Sequence, residues 1–289
     1  MEKVIVVTGA ASGIGREVVK NLSKEYIILI ADCNLEKIET AANEFKEFGY
    51  NVIPFVFDVS KRQDVKALAN KAKSLGNIER VIHCAGISGT MNTVDKVIRI
   101  NSLGTLYINQ EFYNVMENGV ICDIASNSSY ILPKILLPSK RTFKLSLQNE
   151  EKFLRRCVRR SKIFHIKALN GDMAYLISKT FIRWYAQKCA YKYISTKNIR
   201  IFTVSPGYVN TPMTVAEKGK LSDNMLSYCG LQRGAEPKEI AALICSLSDP
   251  KCSYLIGSDV LCDGGCIDNG YGIFSVLSKY KDKSKNERW

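Results

Sequence analysis

Val4-Ile5-Val6-Val7-Thr8-Gly9-Ala10-Ala11-Ser12-Gly13-Ile14-Gly15 is the stretch that decides the fold. Val4 to Val7 is a short β-rich apolar run, the glycine-rich turn follows at once, and residues 16–24 read as helix. A strand, a glycine turn and a helix in succession make a phosphate-binding start. Glycines permit a tight turn and close backbone approach, and the helix N-terminus favours negative charge. The spacing is Gly-x-x-x-Gly-x-Gly, which differs from the usual dinucleotide fingerprint, so the strand and helix on either side carry the reading.

Residues 27–31 read as a second strand ending in Asp32, 17 positions after Gly15. An acidic group about 20 residues on hydrogen-bonds the ribose hydroxyls of NAD. Cys33 and Asn34 follow, so a 2′-phosphate would face Asp32 with no adjacent cation; the alternative is that Asp32 only caps the next helix. The alternation then continues. Residues 35–48, 64–75 and 94–116 read as helices, and 51–57, 80–84 and 119–125 as strands. This pattern predicts an α/β fold, a doubly wound parallel sheet of Rossmann type, with ligands beyond the carboxyl ends of the strands. Gly9, Asp32, Asp58, Gly86 and Ser126 all fall at such ends.

Tyr175 and Lys179 lie four apart in a stretch that reads as helix to residue 193. Residues at that spacing share a helix face. A free phenol titrates near pH ~10, too high to serve well at neutral pH, and a neighbouring ammonium favours the phenolate. The pair suits proton exchange with a carbonyl or alcohol oxygen, although Tyr packed and Lys solvated is the commoner meaning of such a pair taken alone.

With 289 residues and 46% apolar content the chain can furnish a substantial core. No apolar run is long enough to span a bilayer, and the start at Val4 has no charged-then-apolar leader, which together give the expectation of a cytoplasmic protein. Ten cysteines are scattered without a Cys-x-x-Cys pair, and the histidines are His83 and His165; no metal site is expected. The net charge of +13 is concentrated. Residues 134–167 hold eleven Lys/Arg against Glu150 and Glu151, and 279–289 hold five against Asp282 and Glu287.

These residues resemble the short-chain dehydrogenase/reductase family over almost the whole chain. Thr8-Gly9 through Ser12-Gly13-Ile14-Gly15 resemble its cofactor loop, Asp58-Val59 its adenine-contacting pair, and Cys84-Ala85-Gly86 most of its Asn-Asn-Ala-Gly motif. Asn101, Ser126, Tyr175 and Lys179 match its catalytic tetrad. Pro206-Gly207-Tyr208-Val209-Asn210-Thr211 match the stretch that holds the nicotinamide end, and Asp263-Gly264-Gly265 its C-terminal turn. His83 and Cys84 depart from two asparagines, and Ala125 from a common serine. The resemblance implies an NAD(H)-dependent oxidoreductase interconverting a secondary alcohol and a ketone. Tyr175 would be its general acid or base, with Lys179 tuning it and holding the nicotinamide ribose. Ser126 would bind the substrate oxygen, and Asn101 would anchor a water leading to Lys179.

Ser126 and Tyr175 stand 49 positions apart, where most family members have a brief loop. The extra segment, about 130–168, predicts a helix over 149–162 with Asn149 as N-cap and Phe153, Leu154, Cys157 and Val158 as an apolar stripe. With the short loop 87–93, this is similar to the 3α-hydroxysteroid dehydrogenase/carbonyl reductase subgroup, in which the insertion forms the dimer contact. A homodimer, possible tetramer included, is therefore expected through that stripe; the alternative is a helix packed on its own subunit. Residues 211–235 read as polar and irregular, and the resemblance implies that they form the substrate lid; they carry Met213, Met225, Leu226, Tyr228 and Leu231, with Lys218, Lys220 and Arg233 either solvated, the commoner case, or available to an acidic substrate. One catalytic domain is expected over 1–278, with a basic, disordered tail over 279–289. The subgroup implies an apolar alcohol or ketone, a hydroxysteroid first. Competing readings are an aromatic alcohol dehydrogenase, a 3-oxoacyl thioester reductase and an NAD-binding sensor without turnover. Nucleic-acid or anionic-membrane binding by the arginine-rich insertion is weighed and not favoured, because no recognised module accompanies it.

Overall fold

The computed structural model describes residues 2–90, 92–216 and 220–281. The expectations placed on Lys218 and on the tail from 282 onward lie outside those residues, as does the side chain of Lys220. In chain order the main elements begin with β1 (Lys3–Thr8), α1 (Gly13–Lys20), β2 (Ile27–Asp32), α2 (Leu35–Glu47), β3 (Val52–Val56), α3 (Arg62–Leu75) and β4 (Asn77–His83). There follow α4 (Val94–Val97), a π-helical segment (Ile98–Leu103), α5 (Gly104–Val115), β5 (Gly119–Ile124), α6 (Lys140–Lys144), α7 (Glu150–Ser161) and α8 (Asn170–Lys197). The last are β6 (Ile199–Pro206), α9 (Pro212–Ala216), α10 (Lys220–Tyr228), α11 (Pro237–Ser248), β7 (Asp259–Cys262) and α12 (Ile273–Lys281).

The seven strands form one sheet in the order β3-β2-β1-β4-β5-β6-β7, with parallel pairings throughout. The order reverses between β1 and β4, so the crevice beyond their carboxyl ends is the topological switch point where such sheets bind ligands. Alternate residues face opposite sides of a strand. Val4 and Val6 of β1 thus join the core that holds α3, α5 and α8, and Ile5 and Val7 join the one that holds α1, α2 and α11. Local signals agree with these elements. Asn34 Oδ1 accepts from Lys37 N at the start of α2, and Glu236 and Glu239 form a capping box at α11.

The structure departs from the sequence expectations in four places. The single helix predicted over 94–116 is interrupted by the π-helical turn that contains Asn101, a kind of irregularity common at functional sites. The segment expected to be an irregular lid instead carries α9 and α10 among its described residues. Met225 and Tyr228, three apart, turn α10 onto the core, and Tyr228 meets Tyr271 at 5.5 Å between ring centroids. The helix α12 was not anticipated; Ile273 and Val276 are buried along it, and it extends into the start of the basic tail.

The fourth departure concerns the insertion. Helix α7 forms as expected, with Asn149 Oδ1 accepting from Lys152 N at 2.8 Å, two glutamates in its first turn and two arginines in its last. Its apolar stripe, however, is not an intersubunit face. Phe153 and Cys157 are 0% exposed and Leu154 is 2% exposed within the single chain, and Val158 packs beside them. Phe153 lies 5.0 Å from the Phe181 ring of α8, and Phe143 of α6 lies 5.5 Å from it. The stripe is covered because α8 supplies an aromatic surface against which it packs. Polar contacts fix the same docking: Arg62 reaches Glu150 at 3.0 Å, and Tyr107 OH donates to Glu150 at 2.6 Å. Among the described residues no helix is long and apolar enough to cross a membrane, and the ten cysteines are free thiols.

Candidate active site

One cleft lies beyond the carboxyl ends of the strands. It is lined by Gly9, Ser12, Gly13, Ile14, Gly15, Asp32, Asp58, Val59, Cys84, Ala85, Gly86, Ser126, Tyr175, Lys179, Pro206, Gly207, Val209 and Thr211, with Ile87, Ile100 and Met213 among its apolar neighbours. The cofactor-loop residues from Gly9 to Gly15 named here, Asp32, Asp58, Val59, the 84–86 run and Pro206, Gly207, Val209 and Thr211 are therefore in the wall, while Tyr208 and Asn210 of the same stretch are not. Three of the four residues assigned to catalysis are in it too. Asn101 is the exception: it is 1% exposed and stands behind the lining.

The loop after β1 approaches its neighbours too closely for side chains at two positions. Gly9 adopts φ +64°, and a Cβ there would lie 2.9 Å from Ala85 N. A Cβ on Gly15 would lie 2.4 Å from Gly9 O. Bare backbone is thus presented at the start of α1, a cradle suited to a pyrophosphate. At the adjoining end, Asp32 Oδ2 accepts from Ala11 N at 3.3 Å and Oδ1 from Asn34 N at 3.2 Å. The carboxylate is held in place by backbone while it faces the cleft. Its neighbour Asp58 is fixed by Ser60 N at 2.9 Å. Among the described residues of the lining, Lys179 is the one lysine or arginine, and it stands at the opposite end. The glycine cradle and the carboxylate that faces the cleft fit a nicotinamide dinucleotide.

Lys179 and Tyr175 share a face of α8, with Lys179 Nζ 5.6 Å from the Tyr175 ring centroid. Lys179 Nζ donates to Ile124 O at 2.7 Å. Burial pulls the ammonium down to about 8, while Cys84 and Asp123 work in the opposite direction. Ser126 opens a short 3-10 turn, Asn127–Tyr130. Its Oγ accepts from Ser128 N at 3.2 Å and donates to Asn127 Oδ1 in a long bond of 3.5 Å, which a substrate oxygen would have to replace. Asn101 is otherwise engaged: Oδ1 accepts from Ile87 N and Nδ2 donates to Ile87 O, both at 2.9 Å, and Nδ2 also reaches Ser178 Oγ at 3.2 Å. Its side chain fixes the loop beside the cleft. A Cβ on Gly86 would be 3.2 Å from Asn101 Oδ1 and 3.8 Å from Lys179 Nζ, so the two side chains converge on that glycine.

Sequence reasoning missed a row of buried polar residues under the site. Thr8, His83, Asp123, Thr203 and Asp259 are paired in register from strand to strand across β1, β4, β5, β6 and β7. Thr105 Oγ1 donates to Asn101 O at 2.7 Å, so it accepts from His83 Nε2 at 3.2 Å, which leaves Nδ1 to accept from Thr8 Oγ1 at 2.8 Å. Burial holds the imidazole neutral, lowering it to about 3. Asp123 is 0% exposed; Asn109 Nδ2 donates to its Oδ2 at 2.8 Å and its Oδ1 has no hydrogen-bond partner. Burial raises this carboxyl to about 7, against the opposing pull of Asn109 and Lys179. The available signal was a polar residue near the carboxyl end of an otherwise apolar strand at Thr8, His83 and Asp123; Thr203 lies within β6 and Asp259 opens β7, where no such pattern shows.

The residues expected in a lid divide. Met213 lines the cleft, whereas Met225, Leu226 and Leu231 line a smaller hollow that adjoins it at Gly207. Arg233 does not face a substrate as a free cation, because its guanidinium makes two hydrogen bonds to Glu239, at 2.7 and 2.8 Å.

Comparisons with known proteins agree with this geometry. A family model described as short chain dehydrogenase matches residues 3–134, and one described as Enoyl-(Acyl carrier protein) reductase matches residues 149–266. The stretch between the matches lies inside the insertion. A 3-oxoacyl-(acyl-carrier-protein) reductase of Thermotoga maritima is 26% identical over 277 residues, covering 92% of this chain and 98% of the relative. The 3beta-hydroxysteroid dehydrogenase 2 of Eggerthella lenta is 25% identical over 279 residues, covering 90% and 93%. A short-chain type dehydrogenase/reductase from Mycobacterium ulcerans superposes with a TM-score of 0.75 at 19% identity, covering 97% of this chain and 94% of that one, which establishes the likeness of fold.

Proposed function

Because the chain belongs to the short-chain dehydrogenase/reductase family, we propose that it is an NAD(H)-linked oxidoreductase that interconverts a secondary alcohol and a ketone at the cleft holding Tyr175, Lys179 and Ser126. The observation that carries the reading is the convergence in that cleft of the Tyr175–Lys179 pair, the glycine cradle and Asp32. A nicotinamide dinucleotide, when bound, supplies or takes up the hydride.

The chain's own residues do the rest. Gly9 and the segment from Ser12 to Gly15 receive the pyrophosphate, and Asp32 accepts hydrogen bonds from ribose hydroxyls. Ser126 Oγ donates to the substrate oxygen. Tyr175 gives that oxygen a proton during reduction and takes it back during oxidation. The Lys179 ammonium stabilises the Tyr175 phenolate through its charge and is itself aimed by the bond to Ile124 O. Asn101 keeps Ile87 in place beside the reacting group. Formation of NADH from a secondary alcohol, and its loss when Tyr175 becomes Phe, tests the reading.

The proposed substrate is a bulky, largely apolar alcohol or ketone, with a hydroxysteroid first; Ile87, Ile100 and Met213 give the cleft apolar walls, and the Eggerthella lenta relative supports the choice. A second reading, reduction of a 3-oxoacyl thioester, is favoured by the Thermotoga maritima relative. A panel containing both classes separates them. The protein is also read as a homodimer, with its contact on a surface other than the buried side of α7.

A further inference from the structure

Building on that reading of Ser126, we propose that Arg183, Tyr130 and Asp259 form a latch that positions Ser126 against Tyr175. Tyr175, Lys179 and Arg183 recur every four residues along α8, so they lie on one side of it. Lys179 grips the backbone before Ser126, at Ile124 O, 2.7 Å away. Arg183 grips the turn after it: Nη1 donates to Ser129 O and to Ser129 Oγ, both at 3.2 Å. Thr180 Oγ1 adds a bond to Ser129 O at 3.4 Å. One helix face therefore straddles Ser126.

The far end of the turn is tied to the sheet. The Arg183 guanidinium lies 3.5 Å from the centroid of the Tyr130 ring. Tyr130 OH donates to Asp259 Oδ2, and Arg183 Nε lies 3.2 Å from the same oxygen as a close ion pair without the alignment of a hydrogen bond. The Asp259 side chain is 3% exposed, and its other oxygen accepts from Ser205 Oγ at 2.9 Å and from Thr203 Oγ1. A planar guanidinium delivers several donors at fixed angles while stacking on an aromatic ring. Rotation of the turn that starts at Ser126 would break the contacts of Ser129 and Tyr130 together. None of the three latch residues lines the cleft, so each acts as a positioning residue through Ser126.

The test is a double-mutant cycle in the full-length protein, read by kinetics, cofactor binding and amide hydrogen exchange. Arg183→Met is expected to lower kcat about tenfold or more, and to have no further effect when Ser126 is already Ala. Arg183→Lys, which keeps charge without the fork, should recover part of the loss. The dissociation constant for NADH, measured by fluorescence titration, should change by less than about twofold, since the cradle is untouched. Tyr130→Phe, which removes one hydroxyl and keeps the ring, should move kcat in the same direction by less, and decides the matter if Arg183→Met does not fold. In both variants the amides of Ser128, Ser129 and Ile131 should exchange faster while those of β5 stay protected. Unchanged exchange at those three amides overturns the latch whether or not the protein turns over a substrate. Equal losses of kcat with and without Ser126 overturn the positioning role. Absence of wild-type turnover on any alcohol or ketone instead defeats the reading of the active site, and the exchange result still decides whether the latch exists.

Discussion

Lys179 Nζ donates to the carbonyl oxygen of Ile124 at 2.7 Å, so the ammonium that faces Tyr175 is aimed by the strand that ends two residues before Ser126. This bond couples the helix carrying the proton-exchanging group to the strand carrying the substrate-oxygen ligand. Burial costs the charged lysine stability, which is why it titrates at about 8.

Activity should follow that titration. Above about pH 8 the ammonium is lost, phenolate support at Tyr175 goes with it, and kcat/KM should decline on the alkaline side. Asp123 lies close enough to favour the charged lysine. Asp123→Asn removes that negative charge and should move the alkaline limb to lower pH. A pH profile of kcat/KM for both proteins checks it; an unmoved limb means Asp123 does not act on Lys179.

The same carboxyl should leave a mark on stability. Burial raises Asp123 from 3.8 to about 7, so the folded state binds its proton more tightly than the unfolded state does. Stability from this group is present at low pH and is lost as pH rises between those two values. Asp123→Asn should therefore be more favourable, relative to wild type, at about pH 8 than at about pH 4, by on the order of 2–4 kcal/mol. His83, held near 3, contributes the opposite slope at lower pH in both proteins and cancels from the comparison. Denaturant unfolding at the two pH values measures the difference.

The insertion gives a prediction about folding. Phe153 is 0% exposed against Phe181, so Phe153→Ala should cost about 3–5 kcal/mol of stability. Phe153→Asp should unfold the chain. Folded Phe153→Asp monomers seen by light scattering, with a wild-type melting temperature, would restore the stripe to an intersubunit role.

How much of this was legible in the sequence varies by residue. Gly9, Asp32, Asp58, Gly86 and Ser126 could be placed at one end of a sheet because strand period and glycine turns are local signals. The same holds for Tyr175 and Lys179, whose spacing alone puts them on one helix face. The Phe153 stripe was visible, but an apolar stripe reads identically whether its own chain or a second copy covers it. The π-helical turn at Asn101 has no period of its own. The Tyr130–Asp259 contact joins positions 129 apart, and no local pattern reports such a pairing. The lid was misread because its charges mask Met225 and Tyr228, which turn α10 onto the core.

The proposed preference for NAD rests on Asp32. Its carboxylate is held by Ala11 N and Asn34 N, and the lining offers no cation at that end among the described residues. Asp32→Ser should reduce the ratio of kcat/KM for NAD to that for NADP by about tenfold, equivalent to ~1.4 kcal/mol of lost discrimination. Initial rates with both cofactors supply the ratio, and a wild-type preference for NADP would show that the carboxylate does not select against the phosphate.

The central claim is that Tyr175 exchanges the proton while a bound nicotinamide dinucleotide exchanges the hydride. The most direct measurement is the rate of NADH formation by wild-type and Tyr175→Phe protein over a panel of hydroxysteroids, aromatic secondary alcohols and 3-hydroxyacyl thioesters, with NADH binding measured in parallel. The account predicts turnover of at least one panel member by the wild type and a fall of about 100-fold or more in Tyr175→Phe, with NADH still bound. A Tyr175→Phe protein that binds NADH and turns over at the wild-type rate would contradict it.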